Sequence, residues 1–190
     1  MLAYVFWHWP QRNVDEALYV DHLVSFHHTL ASNKPGGFNR STVFRINDVP
    51  WLDSIGVAYE EWYLLDDSAA MDKLNDGAVS GACEPPHNQV AREAAGGTGG
   101  IYRLRAGQEN LSHSRFAVWL AKPTGVSYPA LYTALEPLSS RAGTGLWGRQ
   151  MTLGPTTEFC LYSANQIQLP TGFDGREVAL ELVWTGVKVA

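Results

Sequence analysis

The sequence predicts an α+β fold. Two tandem copies of a β-α-β-β-α-β unit, the second without its last helix, set antiparallel sheets against each other as a barrel within one chain. Three observations predict it. Short runs alternate apolar and polar residues with the two-residue period of strands, and segments with helical spacing lie between them. The run "YVFWHWP", Tyr4 to Pro10, returns as "FAVWLAKP", Phe116 to Pro123, each with a tryptophan mid-run and a proline after it. Further short matches recur in the same order along both halves.

In the first half, strands are expected at Ala3–Trp9, Ser41–Ile46, Tyr59–Leu65 and Ile101–Arg105. A helix between the first two starts at Asn13 or Asp15. Asn13 can cap the free amides, and Asp15 and Glu16 suit the positive end of the helix dipole. Its apolar stripe is Val20, Leu23, Val24, Leu30 and Ala31, and Asn33, Pro35, Gly36 and Gly37 end it. Asp67 caps a second helix near Ser68, with Ala70, Met71 and Leu74 on one face, and a short helix follows from Pro86. The glycines of "GGTGG", Gly96 to Gly100, lead from helix to strand, the wrong order for a phosphate loop, and are expected to form a flexible turn.

The second half lies over the first with offsets that fall only where a loop shortens. Trp119 follows Trp7 by 112 residues, and Ala130–Tyr132 follows Ala17–Tyr19 by 113. Arg149 follows Arg40 by 109, "EFCLY" from Glu158 follows "EWYLL" from Glu61 by 97, and Gly186 follows Gly107 by 79. Five matches in one order mark a tandem repeat, residues 1–108 and 113–190, forming together one compact domain. The final drop falls where the first half has its second helix. There the second half has only "NQIQLPTGFDGR", rich in proline and glycine, so it is expected to read β-α-β-β-β.

Composition narrows the function. The chain of 190 residues carries a net charge of −5 without a basic run, which argues against a nucleic-acid partner. No apolar run reaches the roughly 20 residues of a membrane span, and the N-terminus lacks a secretory signal, so a cytoplasmic protein without a membrane partner is expected. Two cysteines, Cys83 and Cys160, are too few for a disulfide framework or a thiolate zinc site. No H-E-x-x-H motif occurs among the six histidines, and neither a metal nor another cofactor is expected. His27 falls within the first helix's stripe and should face the sheet, with His28 turned about 100° away.

A β-α-β-β-α-β unit covers one face of its sheet with helices and leaves the other bare. An apolar face of that size is seldom left in water, so the two bare faces should meet. In element order and repeat the whole chain resembles the dimeric α/β-barrel superfamily of ferredoxin-like domains, in particular the EthD-like and antibiotic-biosynthesis-monooxygenase-like proteins. "FHHTL", "EEWYLLDD" and "PPHNQVA" are its own landmarks.

The resemblance implies a central cavity between the bare faces, and strand alternation selects its lining. Trp7 and Trp119 are expected there, with Arg45, Glu61, Tyr63, Arg103 and Glu158, while Trp62 and Leu64 lie under the helices. In this reading Trp7 and Trp119 stack on a small apolar or aromatic molecule, which Arg45, Arg103 and Glu158 help hold. Glu61 is either an ion-pair partner or a general base, and Tyr63 a hydrogen-bond donor. For an enzyme, the resemblance implies cofactor-independent oxidation or proton transfer on an aromatic or polyketide-like substrate. Two rivals stand beside it: a structural or assembly domain whose barrel is filled by its own side chains, and a haem-binding barrel using His87 or His113. A homodimer through the half that lacks its helix is also expected.

Overall fold

The computed structural model describes residues 1–47, 49–52, 56–152 and 156–186. The first half runs β1 (Leu2–Pro10), α1 (Glu16–Asn33), β2 (Phe38–Asn47), β3 (Val57–Leu65), α2 (Ala69–Ala78), α3 (Glu84–Glu93) and β4 (Ala94–Gly107). The second runs β5 (Phe116–Leu120), α4 (Tyr128–Ser139), β6 (Gly145–Thr152), β7 (Phe159–Ser163), β8 (Gly175–Ala179) and β9 (Glu181–Thr185). This is the predicted order, with no second helix between β7 and β8. Caps set the helix starts. Asp15 accepts from Leu18 N at 3.0 Å, Asp67 from Ala70 N at 3.0 Å and Ser127 from Ala130 N at 3.3 Å. Among the described residues no helix is long and apolar enough to cross a membrane.

All strand pairings are antiparallel, in the order β8-β5-β7-β6-β4-β1-β3-β2-β9. The two ends of that order, β8 and β9, are separated in the chain by Leu180 alone. One bent strand therefore pairs with β5 in its first part and with β2 in its second, and the sheet closes into a barrel.

The barrel is full. Its inward residues from both halves form one cluster that includes Val5, Trp7, Phe44, Trp62, Tyr102, Trp119, Trp147 and Tyr162. The four tryptophans are at most 1% exposed. Each such indole withdraws apolar area worth on the order of 4–6 kcal/mol from water. Trp7 and Trp119 point indoors and meet each other edge to face at 5.3 Å, and Trp119 with Trp51 also borders an open cleft of about 530 Å³ beside Arg176.

Alternation fails the prediction on β3. Across β1–β3 Trp7 faces Glu60, and across β5–β7 Trp119 faces Cys160. Directly opposite residues share a face, so Glu60 and Cys160 are the inward counterparts, followed by Trp62 and Tyr162. Matching Glu61 to Glu158 slips the register by an odd number of residues, which exchanges the two faces. Trp62 and Leu64 lie inside the barrel, whereas Glu61 and Tyr63 lie under the helices.

"GGTGG" is not a turn. It is the first part of β4 and pairs along β1, with Gly96 opposite Trp9, Gly97 opposite His8 and Gly99 opposite Phe6. A Cβ on Gly97 would sit 2.4 Å from the Phe6 ring, one on Gly96 2.7 Å from Trp9, and one on Gly99 3.0 Å from Tyr4. The glycines are there because three aromatic side chains of β1 lie across their strand.

Candidate functional site

A cavity of about 430 Å³ lies between the first half's sheet and the helices α2 and α3. Tyr4 and Phe6 form its floor, lying over the glycines of β4. Phe26, Met71, Leu74, Ala78, Val90 and Ala91 supply most of its apolar wall, and Asn75 and His87 add polar groups. Its lining contains neither lysine nor arginine. His22 Nδ1 and Glu93 Oε2, 2.9 Å apart, tie α1 to the end of α3 and so fix one wall.

His8, Glu61 and Tyr63 reach this cavity from the sheet, 2%, 3% and 6% exposed. Glu61 Oε1 lies 2.8 Å from His8 Nε2 and 3.4 Å from His27 Nε2, and Tyr63 donates its O–H to Oε2. On the far side of each imidazole stands a hydroxyl: Tyr19 OH is 2.6 Å from His8 Nδ1, and Ser41 Oγ is 2.8 Å from His27 Nδ1. Each imidazole thus stands between a hydroxyl at its Nδ1 and the carboxylate on its Nε2 side, with His8 alone hydrogen-bonded to both. His27 Nε2 lies off the hydrogen-bond line despite its distance and has no hydrogen-bond partner.

The electrostatics follow from this arrangement. Burial alone would raise the pKa of Glu61, but the attraction of His8 and then His27 outweighs it and holds the carboxyl well below its ordinary range. The retained charge acts on its neighbours. Burial and then Glu61 push Tyr4 up to about 12 and hold Tyr63 well above the usual phenol value. Around the cavity floor the phenols are therefore donors and the carboxylate is the acceptor.

No family model matches the chain, and neither does any curated protein. Several solved structures do, among them two of proteins described as putative monooxygenases. The protein of Fusobacterium nucleatum is 10% identical with a TM-score of 0.64, over 97% of this chain and 93% of that one. The protein of Lactobacillus acidophilus is 8% identical with a TM-score of 0.64, over 98% and 96%. A chlorite dismutase from Candidatus Nitrospira defluvii matches at 7% identity and a TM-score of 0.46, over 96% and 92%. The chain has the tandem ferredoxin-like α/β-barrel fold. Identities this low speak to fold alone.

Within that fold, the seven residues expected around one central cavity fall into separate places. Trp7 and Trp119 are packed in the barrel. Glu61 and Tyr63 come together, but on the opposite face of β3, under the helices. Arg45 also points outward, its Nε 2.5 Å from Glu16 and its Nη1 3.6 Å from Glu181. Arg103 is exposed and donates to Gln150 at 3.2 Å. Glu158 accepts from Tyr128 OH at 3.0 Å and from Lys122 N at 3.1 Å, outside the second half of the barrel. For Arg45 and Arg103 the reason is again alternation: Phe44 and Tyr102 take the inward positions beside them. The haem candidates separate too, His87 lining the helix-side cavity and His113 lying exposed before β5.

The sequence reading missed His8 as the partner of Glu61, Tyr19 as the partner of His8, and Glu60 altogether. Inside the barrel Glu60 accepts from Trp7 Nε1 at 2.7 Å, from Trp62 Nε1 at 2.8 Å and from Tyr162 OH. The doubled glutamate of "YEEWYLL" was the available signal, since in a strand one of the two must face each way.

Proposed function

We propose that the helix-side cavity binds a small, neutral, largely apolar aromatic molecule, and that Glu61 takes a proton from it while Tyr63 steadies the oxygen left behind. One observation carries this reading: an ionised carboxylate with two imidazoles and a phenol is buried at the floor of a cavity otherwise lined by apolar side chains. A lining without lysine or arginine favours a neutral ligand over a carboxylate or phosphate.

A carboxylate offers about four lone-pair positions: His8 and Tyr63 bond to two of them, and His27 Nε2 stands 3.4 Å from a third without the alignment of a bond. The fourth, on Oε2, is open to an acidic C–H or O–H of the ligand. As that proton moves to Oε2 the electron pair stays on the ligand as an enolate or phenolate, and Tyr63 turns its O–H toward the new anion. An electron-rich anion of this kind reacts with dioxygen as oxidant, in keeping with the description of the two solved relatives as putative monooxygenases. The paired imidazoles keep Glu61 ionised at the cost of basicity, so the transfer depends on Tyr63 stabilising the anion that forms. The filled barrel supports a second, narrower reading, that the barrel itself is a structural core and takes no ligand.

A panel of hydroxyaromatic compounds screened by thermal shift tests the site. Ala91→Trp fills the cavity from its α3 wall while leaving the residues of the Glu61 cluster unchanged, and is expected to abolish the shift. Glu61→Gln is expected to keep binding and lose oxygen uptake by at least about a hundredfold, the usual contribution of a general base. Binding that survives Ala91→Trp places the ligand elsewhere and ends the proposal.

A further inference from the structure

The barrel core has a chemistry of its own. Five indoles and two phenols form one continuous array there. Trp7 contacts Trp51 at 4.9 Å, Trp119 at 5.3 Å and Tyr102 at 6.3 Å between ring centres. Trp62 contacts Tyr162 at 4.7 Å and Trp147 at 5.2 Å, and reaches Tyr102 at 6.2 Å. Glu60 sits among them, fully buried, bonded to the N–H of Trp7 and Trp62 and the O–H of Tyr162.

The need to satisfy indole N–H groups does not explain Glu60. In the same core Trp51, Trp119 and Trp147 have buried N–H groups without an acceptor among the described residues. A fold that tolerates three such orphans has no need to bury a carboxyl, at a cost of several kcal/mol, to serve two others. At the equivalent place in the second half stands Cys160, so the topology does not demand an acid either.

An acid bonded to three oxidisable rings does suit one task. We propose that the barrel core is a one-electron relay in which Glu60 receives the proton that an aromatic ring releases on oxidation. In the ionised form of Glu60, which its three donors favour, Tyr162 loses an electron to an outside one-electron acceptor, such as an oxygen-derived radical, and its O–H proton passes to Glu60 Oε1. The products are a neutral phenoxyl radical, a neutral carboxylic acid and the reduced acceptor. An indole radical cation formed first at Trp7 or Trp62 is stabilised by the adjacent carboxylate in a medium of low dielectric constant and is refilled from Tyr162. Trp51, half-buried and 4.9 Å from both Trp7 and Trp119, is the contact with solvent.

Flash oxidation of the full chain by photogenerated tris(bipyridine)ruthenium(III), with radicals trapped and read by electron paramagnetic resonance, tests this. The wild type should give a phenoxyl signal that Tyr162→Phe removes. Glu60→Gln should lower its yield by roughly tenfold or more, since the proton loses its acceptor. Trp51→Phe should slow its appearance. A signal unchanged by Tyr162→Phe, and lost instead when the surface residues Tyr128 and Tyr132 are replaced by phenylalanine, overturns the relay. So does an equal yield from wild type and Glu60→Gln. Should Glu60→Gln fail to fold, the wild type decides: proton transfer to Glu60 requires slower radical formation in deuterium oxide, and identical rates in the two solvents refute it.

Discussion

The two halves of this protein bury the outer faces of their sheets in opposite ways. In the first half the layer beneath the helices holds His8, His27, Glu61, Tyr63 and Ser41, and a cavity opens beside them. In the second, the layer beneath α4 is Val118, Leu120, Leu131, Leu135, Leu146, Phe159 and Leu161, packed as one apolar cluster. Strand pairing makes the comparison residue by residue. Phe6 opposite Glu61 becomes Val118 opposite Leu161, and His8 opposite Tyr59 becomes Leu120 opposite Phe159. Counted from the helix caps Asp15 and Ser127, His27 becomes Ser139, also buried. The chain thus contains its own control: leucine at these positions satisfies the topology, so the polar cluster answers a need other than folding.

The comparison breaks most violently if the cluster's carboxylate is moved alone. Leu161→Glu would bury an acid among leucines with no imidazole or hydroxyl in reach, and a loss of about 3–5 kcal/mol is expected. Such a variant should be largely unfolded at 37 °C by circular dichroism. If it is nearly as stable as wild type, the second layer is wetter than its packing implies, and the contrast between the halves loses its force.

The reverse transplant is subtler. His8→Leu alone removes the imidazole hydrogen-bonded to Glu61 and should cost about 3 kcal/mol in urea denaturation, because a buried charge loses much of its compensation. Adding His27→Ser and Glu61→Leu gives the first half the second half's residues and should recover most of that loss, since ion clusters replaced by apolar groups are often neutral or better. Ligand binding and turnover should not return. A triple variant less stable than the single one would show that the cluster is structural after all.

How much of this the sequence disclosed depended on whether one face of an element meets water. The repeat was legible because Trp7 and Trp119 are fixed by local chemistry, as are the helix starts at Asp15 and Asp67. On α1 the buried stripe is Tyr19, Leu23, Phe26, His27 and Leu30, rotated slightly from the expected one, and His27 does face the sheet. β3 was not legible. From Ala58 to Leu65 every residue is buried, those at even positions in the barrel and those at odd positions under the helices, so polarity could not choose the faces. A glutamate stands on each side, and only the pairing of Trp7 with Glu60 tells them apart. Nor could composition reveal that Gly96 to Gly100 is a strand, because the reason lies in the rings of β1 lying across it. The cavity, a product of where α2 and α3 rest, had no local signal at all.

Gly97 offers a smaller, more local test. A methyl group there meets the Phe6 ring, which floors the cavity. Gly97→Ala should cost about 1–3 kcal/mol as the ring is displaced, and should weaken ligand binding by narrowing the cavity. Gly148, on β6 of the second half, would instead set its Cβ 2.9 Å from Arg105, a flexible and exposed side chain. Gly148→Ala should therefore cost less and leave binding alone. Equal effects of the two substitutions would mean that the floor of the cavity is not the constraint at Gly97.

The smallest effects distinguish the two adjacent carboxyls by sign. Glu61 is held below its ordinary range by His8 and His27, so its contribution to stability is present above the unfolded value of about 4.3 and is lost as pH falls through the lower folded value. Glu60 is shifted the other way, because burial outweighs its three hydrogen bonds. Its contribution is complete below about pH 4.3 and is lost as pH rises through the raised folded value. Their counterparts in the second half, Leu161 and Cys160, add little in acid: leucine does not titrate, and burial holds the Cys160 thiol well above its ordinary value. Urea denaturation from about pH 3 to about pH 8 should therefore show Glu61→Gln removing part of the acid-side loss of stability, and Glu60→Gln removing part of a decline toward neutral pH. Two neighbours in sequence would then report the two faces of one strand, and a shift of both profiles in the same direction would mean that the carboxyls share one environment.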